Sequence, residues 1–190
     1  MPLPKEERYT LADALEWPEK LRIELIEGQP YMMAPPKRIH QVVSRELFGQ
    51  LYDYLKDKKC QVFAAPFAVR PFETEGEHPE DVDTMVEPDL SVICDREKLD
   101  DIGCKGAPDL VIEILSASTA KLDRHTKLRL YERAGVREYW IVDPEKQIVL
   151  VHLLEDGHYY SPMVYTGTAQ VKVEVLDDCM IDLGRVFEVQ

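Results

Sequence analysis

The sequence predicts an α+β fold, α/β in the broad sense, in which a mixed central β-sheet is flanked by helices. Length and composition set the scale: 190 residues with 45% hydrophobic and 31% charged side chains suit one core of useful size. Periodicity supplies both element types, because apolar residues recur at helical spacing in a few stretches and as short Val- and Ile-rich runs elsewhere. The order reads helix, hairpin, helix, strands, helix, strands, which interleaves the two types within a single domain spanning residues 1–190.

Thr10-Leu-Ala-Asp13 has the form of a capping box before a short helix that stops near Pro18. Arg22 to Met33 reads as a hairpin turning at Glu27-Gly28, and Pro35-Pro36 ends it. Ile39, Val42, Val43, Leu47, Leu51 and Leu55 follow helical spacing, so an amphipathic helix is expected from His40 to about Lys56. Gln61 to Val69 reads as a strand with an edge or bulge at Pro66. The acidic stretch from Glu73 to Asp83 has no periodicity and predicts a mobile loop or a long hairpin tip. Strands follow at about Leu90–Cys94 and Leu110–Leu115. Ser118 or Thr119 then caps a basic helix that ends at Ala134-Gly135, the glycine suiting a left-handed cap. Further strands are expected at Glu138–Val142, Ile148–Leu154, Tyr159–Tyr165 and Val171–Val175, with a turn at Asp143-Pro144.

The formal net charge of −13 weighs against non-specific binding to nucleic acid. The charge is uneven, however. Glu73 to Asp89 is rich in acids and holds no lysine or arginine, whereas Lys121, Arg124, Lys127, Arg129, Arg133 and Arg137 make a basic stretch. No apolar run is long enough to span a membrane, and Met1 to Glu7 has no apolar segment behind a basic one. A cytoplasmic protein is therefore expected. Cys60, Cys94, Cys104 and Cys179 form no Cys-x-x-Cys pair and are expected to be reduced, mostly buried thiols. A Gly-rich phosphate loop, a nucleophile elbow and paired zinc-ligating histidines are all missing.

Asp89 and Glu113 are the residues that ask for an explanation. Each sits in or at an apolar strand, Pro88-Asp89-Leu-Ser-Val-Ile93 and Asp109-Leu-Val-Ile-Glu113-Ile-Leu115. An ionised carboxylate there is costly unless paired or holding a metal. If the two strands are neighbours, both acids project to one point and offer Mg2+, or Mn2+, the oxygen ligands it prefers, with the Ile114 carbonyl as a further ligand. Such an ion polarises a phosphoryl oxygen and supplies hydroxide near neutral pH, and a nearby ammonium helps. Strand alternation puts position 115 on the face of Glu113, but that residue is leucine. The nearest lysines are Lys121 and Lys127, of which Lys127 is favoured because Asp123, Lys127 and Tyr131 lie four apart on one helical face. Glu24, between Ile23 and Leu25, and His40, at a helix start, can join the cluster. Structural roles also fit: an exposed Asp123–Lys127 pair, an outward Glu24, a His40 that caps or packs.

Tyr9-Thr-Leu-Ala-Asp13, Ile23-Glu-Leu-Ile-Glu-Gly28 and Met33-Ala-Pro-Pro36 with His40 form one set of motifs. Val86-Glu-Pro-Asp-Leu-Ser-Val92 and Leu110-Val-Ile-Glu-Ile-Leu-Ser-Ala-Ser-Thr119 form a second. Asp123-Arg124, Lys127, Tyr131 and Ala134 to Pro144 form a third. In this order, across nearly the whole chain, the series resembles the putative restriction endonucleases of the PD-(D/E)xK superfamily that are abundant in cyanobacteria. The resemblance implies a restriction-endonuclease-like fold and Mg2+-dependent hydrolysis of DNA phosphodiester bonds, that is, a deoxyribonuclease. It implies Asp89 and Glu113 as metal-binding catalytic acids and Glu24 as an accessory ligand or water-orienting group. Leu115 stands where the superfamily carries a lysine, and in this family that lysine has moved to the following helix, here Lys127. A homodimer presenting both basic helices to one duplex would suit cutting of both strands. The competing expectation is a catalytically inactive, dimeric binding module that keeps the fold.

Overall fold

Burial parity organises this chain. In the computed structural model, which describes residues 8–18, 21–117 and 119–188, even-numbered residues of the strands at 90–93, 110–114 and 138–143 face one core and odd-numbered residues the other. The elements run α1 (Leu11–Glu16), β1 (Ile23–Ile26), β2 (Gln29–Met32), α2 (Arg38–Leu55), β3 (Gln61–Ala64), β4 (Ala68–Arg70), β5 (Leu90–Ile93), β6 (Gly103–Lys105) and β7 (Leu110–Ile114). A π-helical turn (Leu122–Lys127) then leads into α3 (Leu128–Ala134), followed by β8 (Glu138–Asp143) and β9 (Ile148–Glu155). The chain closes with β10 (His158–Tyr159), β11 (Met163–Thr166), β12 (Gln170–Lys172), β13 (Met180–Asp182) and α4 (Leu183–Phe187).

The main sheet has the order β10-β9-β8-β7-β5-β3, with β11 also on β9. It is mixed: β7 and β8 are parallel, and the pairs β3–β5, β5–β7 and β8–β9 are antiparallel. Leu110, Ile112, Ile114, Trp140 and Val142 pack against Val43, Leu47 and Leu51 of α2 and Val186 of α4. On the opposite face Val111, Leu115, Tyr139 and Ile141 pack against Leu130 and Tyr131 of α3. Every strand of this central region is thus covered on both faces, which is why β5 and β7 read as nearly continuous apolar runs.

Local chemistry explains the element ends. The Thr10 N–H donates to the Asp13 carboxylate at 2.8 Å, as a capping box requires. Glu27 and Gly28 both have positive φ, 51° and 77°, which closes β1–β2 with a two-residue turn matched to strand twist. Gly135 ends α3 at φ 85°. The expected strand from Gln61 to Val69 is split at Pro66, so that β3 forms the sheet edge and β4 pairs instead with β6. Tyr159–Tyr165 is likewise split into β10 and β11 around Ser161-Pro162. The strands β6 and β13 and the helix α4 had no readable period. The Glu73–Asp83 stretch forms no regular element but is tied down at Pro79, Val82 and Asp83, whose carbonyls accept from Ala12, Leu11 and Gly28. Among the described residues no helix is long and apolar enough to cross a membrane.

The cysteine expectation is corrected. Cys60 and Cys94 are joined in a disulfide, with Cα atoms 3.9 Å apart. The β3–β5 register pairs Gln61 with Ile93, so the preceding and following cysteines face each other across the strands. A separation of 34 residues carried no motif to announce this. Cys104 and Cys179 are free and buried.

The β4–β6 contact is a sharp test of the fold. Gly103 has φ +153°, and a Cβ there would lie 2.0 Å from the Ala68 carbonyl oxygen. Gly103→Ala is expected to cost roughly 2 kcal/mol or more and to lower the melting temperature by several degrees. A circular-dichroism melt indistinguishable from wild type would contradict that packing.

Candidate active site

Two registers assemble the acids. The antiparallel β5–β7 pairing ends with Leu90 opposite Ile112, so the next step along each strand brings Asp89 opposite Glu113. Both are odd-numbered and lie on the face that carries α3. Asp89 is then locked: the Ile114 N–H donates to its Oδ2 at 2.7 Å, and His40 Nε2 lies 3.1 Å from the same oxygen. The hairpin β1–β2 delivers Glu24, whose Oε1 accepts from the Glu87 N–H at 2.9 Å. A cleft of about 410 Å³ opens over the group, lined by His40, Asp89, Glu113, Ser116, Thr119 and Asp123 among others.

Lys127 is the hub. Its ammonium donates to Glu24 Oε1 at 2.8 Å and to Glu113 Oε1 at 2.9 Å, and stands 3.7 Å from Asp123 Oδ1. Tyr131 donates its hydroxyl to the same Glu113 oxygen at 2.8 Å. The π turn brings Asp123 and Lys127 inward together, and both are buried. Wider helical turns of this kind often sit at functional sites.

The electrostatics are lopsided. Three carboxylates surround one ammonium, and Glu24 Oε2 and Asp123 Oδ1 are buried with no hydrogen-bond partner. Burial pushes the Glu113 carboxyl well above the ordinary range, against the pull of Lys127. Burial likewise raises Asp123 to about 6, with Lys127 and Thr119 opposing. Burial alone would lower Lys127, but Glu113, Glu24 and Asp123 together hold it well above its ordinary value, so it stays an ammonium. Tyr131 is raised by burial and by Glu113, so its hydroxyl keeps its proton.

A divalent cation fits this donor set. The hydrogen bonds of Asp89 use Oδ2 and those of Glu113 use Oε1, leaving Oδ1 and Oε2 for a ligand. The surplus negative charge and the orphaned oxygens want a positive ion. Among the described residues no set of three or more His, Cys, Asp or Glu side chains forms a ready metal cage. Two carboxylates completed by water are the usual complement for magnesium.

The sequence-level candidates Asp89, Glu113, Lys127, Glu24 and His40 all come together here. Lys121 does not: it is exposed and lines a neighbouring groove. Leu115 packs in the apolar cluster on the face of Glu113, and Lys127 reaches that face from above. The basic helix, however, is no uniform basic surface. Lys127 is interior, while Arg124, Arg133 and Arg137 pair with Asp143, Glu27 and Asp109. The alternative of an exposed Asp123–Lys127 pair is excluded, because both side chains are buried. The Tyr131 bond to Glu113 had no sequence signal beyond its spacing. Ser118, one of two expected caps, lies outside the described residues; Thr119 hydrogen-bonds Ser116 at 3.0 Å.

The Uma2 family, described as Putative restriction endonuclease, matches residues 11–183. A relative from Synechocystis sp., named Uncharacterized protein slr1290, is 29% identical over 149 residues, covering 76% of this chain and 74% of the relative. The crystal structure of a putative nuclease belonging to DUF820 from Anabaena variabilis has the same fold, with a TM-score of 0.74 at 22% identity over 94% of this chain and 97% of that one.

Two measurements check the electrostatics. Lys127→Met strands three acids in the interior and is expected to cost about 3–5 kcal/mol in urea unfolding at neutral pH. A loss below about 1 kcal/mol would mean that the ammonium is not their counter-charge. Asp123, raised from 3.8 to about 6, binds its proton more tightly folded than unfolded. Its contribution to stability is therefore greatest at low pH and falls as pH rises from about 4 to about 6, by roughly 3 kcal/mol at most. Asp123→Asn is expected to flatten that fall in a series of urea titrations without divalent metal; an unchanged slope would assign the titration elsewhere.

Proposed function

This chain belongs to the Uma2 family of putative restriction endonucleases, and on that premise we propose that it is a metal-dependent deoxyribonuclease with a PD-(D/E)xK-type centre. The observation that carries the reading is the pairing of Asp89 with Glu113 on one face, beside a fully buried lysine that bridges Glu24 and Glu113.

Asp89 and Glu113 would hold Mg2+ or Mn2+ through Oδ1 and Oε2. When bound, such an ion polarises the scissile phosphoryl oxygen and lowers the pKa of a coordinated water. The chain's own groups do the rest. Lys127, held as an ammonium, donates hydrogen bonds and offsets charge that develops on the phosphate. It carries no free base and cannot take the water's proton. Glu24 Oε2, buried without a partner, is the acceptor available to orient the attacking water. Tyr131 and Ile114 fix one oxygen of each metal-binding acid, so that the free oxygens point consistently. Two copies related by a two-fold axis would suit cleavage of both strands.

Glu113→Gln keeps the shape and the hydrogen-bond acceptor while removing the charge. Wild type is expected to nick supercoiled plasmid with Mg2+ or Mn2+ and to gain thermal stability as either ion is added. The variant is expected to lose both. Metal-dependent nicking that survives in Glu113→Gln would overturn this site, and no thermal shift in wild type would overturn the metal assignment.

A further inference from the structure

The acid cluster lies at the bottom of its cleft. Glu24 and Lys127 have fully covered side chains, and those of Glu113 and Asp89 keep only 4% and 21% of their surface. A scissile phosphate must come down to them. Beside the cleft runs a second groove of about 500 Å³, and the two share Met33 and Thr119 as a common wall.

The second groove has a different lining. Tyr31, Met32 and Met33 come from the hairpin arm and Leu122 from the π turn, and Lys121 and His125 line it as well. Met32 is 77% exposed, the most exposed large apolar side chain among the described residues. A thioether and a phenol ring present polarizable surface of the kind that accepts the face of a nucleobase. Lys121 and His125 make no side-chain hydrogen bond or ion pair among the described residues, although the neighbouring arginines 124, 133 and 137 are paired internally. In a chain of net charge −13, the free Lys121 ammonium beside an apolar groove is complementary to a phosphate-linked base.

We propose that this groove holds the nucleotide next to the scissile phosphate, with its base out of any stack, so that the substrate is an unpaired DNA strand rather than continuous duplex. The proposal rests on the nuclease reading above and names its substrate class. The two joined grooves give the strand its path: phosphate down to Asp89 and Glu113, adjacent base across Met33 into the apolar side. A base in duplex must first be unstacked and unpaired to follow that path, and a single strand need not be.

The test separates binding from cutting. A fluorescently labelled oligonucleotide, single-stranded or annealed to its complement, is titrated with wild type and with Met32→Ser in Ca2+, conditions chosen to hold hydrolysis back, with anisotropy as the readout. Wild type is expected to bind the single strand at least tenfold more tightly, and Met32→Ser to lose about tenfold of single-strand affinity, with an unchanged melting temperature and metal-induced shift. Lys121→Gln is expected to weaken both forms and to lower the salt dependence. Equal or better duplex binding, no binding of either form, an unaffected Met32→Ser, or an effect of that variant confined to sedimentation as a second-copy interface would each overturn the proposal. Single-strand preference without any cleavage would instead sink the nuclease reading and leave the groove assignment standing.

Discussion

An ammonium without water around it is the group on which the site depends. Lys127 Nζ sits 2.8 Å from Glu24 and 2.9 Å from Glu113, with Asp123 at 3.7 Å. Taking these charges out of water is expensive, and only close geometry offsets the cost. The hairpin, β7 and the π turn must therefore meet at one atom. Lys127 settles at most one charge of three, and burial drives Glu113 and Asp123 toward their protonated forms. A divalent cation beside Asp89 and Glu113 would reverse that preference. On the proposed reading, proton and metal would compete for one pool of negative charge, and the same excess that burial makes costly would supply affinity for the ion.

What the sequence made legible follows from the same cost. Glu24, Asp89 and Glu113 stand out because an acid among Ile, Leu and Val has few inexpensive explanations, and period-two alternation gives Glu113 its face. The hairpin at Glu27-Gly28 and the stop at Gly135 were readable because both demand positive φ. Long-range register was not readable. Nothing near Cys60 says that it will face Cys94, and nothing near Asp123 distinguishes a buried acid from an exposed helix neighbour of Lys127. The π turn has no compositional mark. Strands of three residues such as β6 and β13 are too short to show a period.

The helix that looked basic illustrates why charge counting along a chain misleads. One lysine is consumed inside the site, and three arginines hold elements together, Arg124 to the end of β8, Arg133 to the hairpin turn and Arg137 to the start of β7. Such partly exposed pairs are worth little individually, but each removes a cation from the surface. Among the described residues Lys121 and Arg129 of this stretch are left without an ion pair, and Lys121 lines the groove beside the cleft, where position matters more than number.

How an acidic protein could admit a polyanion is then a question of where its acids lie. The hairpin β1–β2 has its open end, Arg22 and Met33, at the cleft and its turn, Glu27-Gly28, at the far side. The segment leading to Asp89 runs beside β1: Asp83 bonds Gly28 at the turn, Met85 pairs with Leu25, and Glu87 meets Glu24 and Arg22 near the open end. The end of the acidic stretch is therefore held at the turn, where Asp83 bonds Gly28 and Val82 bonds Leu11. A four-residue strand spans roughly 13 Å, whereas the screening length at physiological salt is about 8 Å. Repulsion from those acids is largely damped before it reaches the cleft, while Lys37 lines the cleft and Lys121 the adjoining groove. The net charge of the chain is the wrong quantity for judging its partners; the length of one short hairpin separates the acids that would repel a phosphate from the acids that would hold its metal.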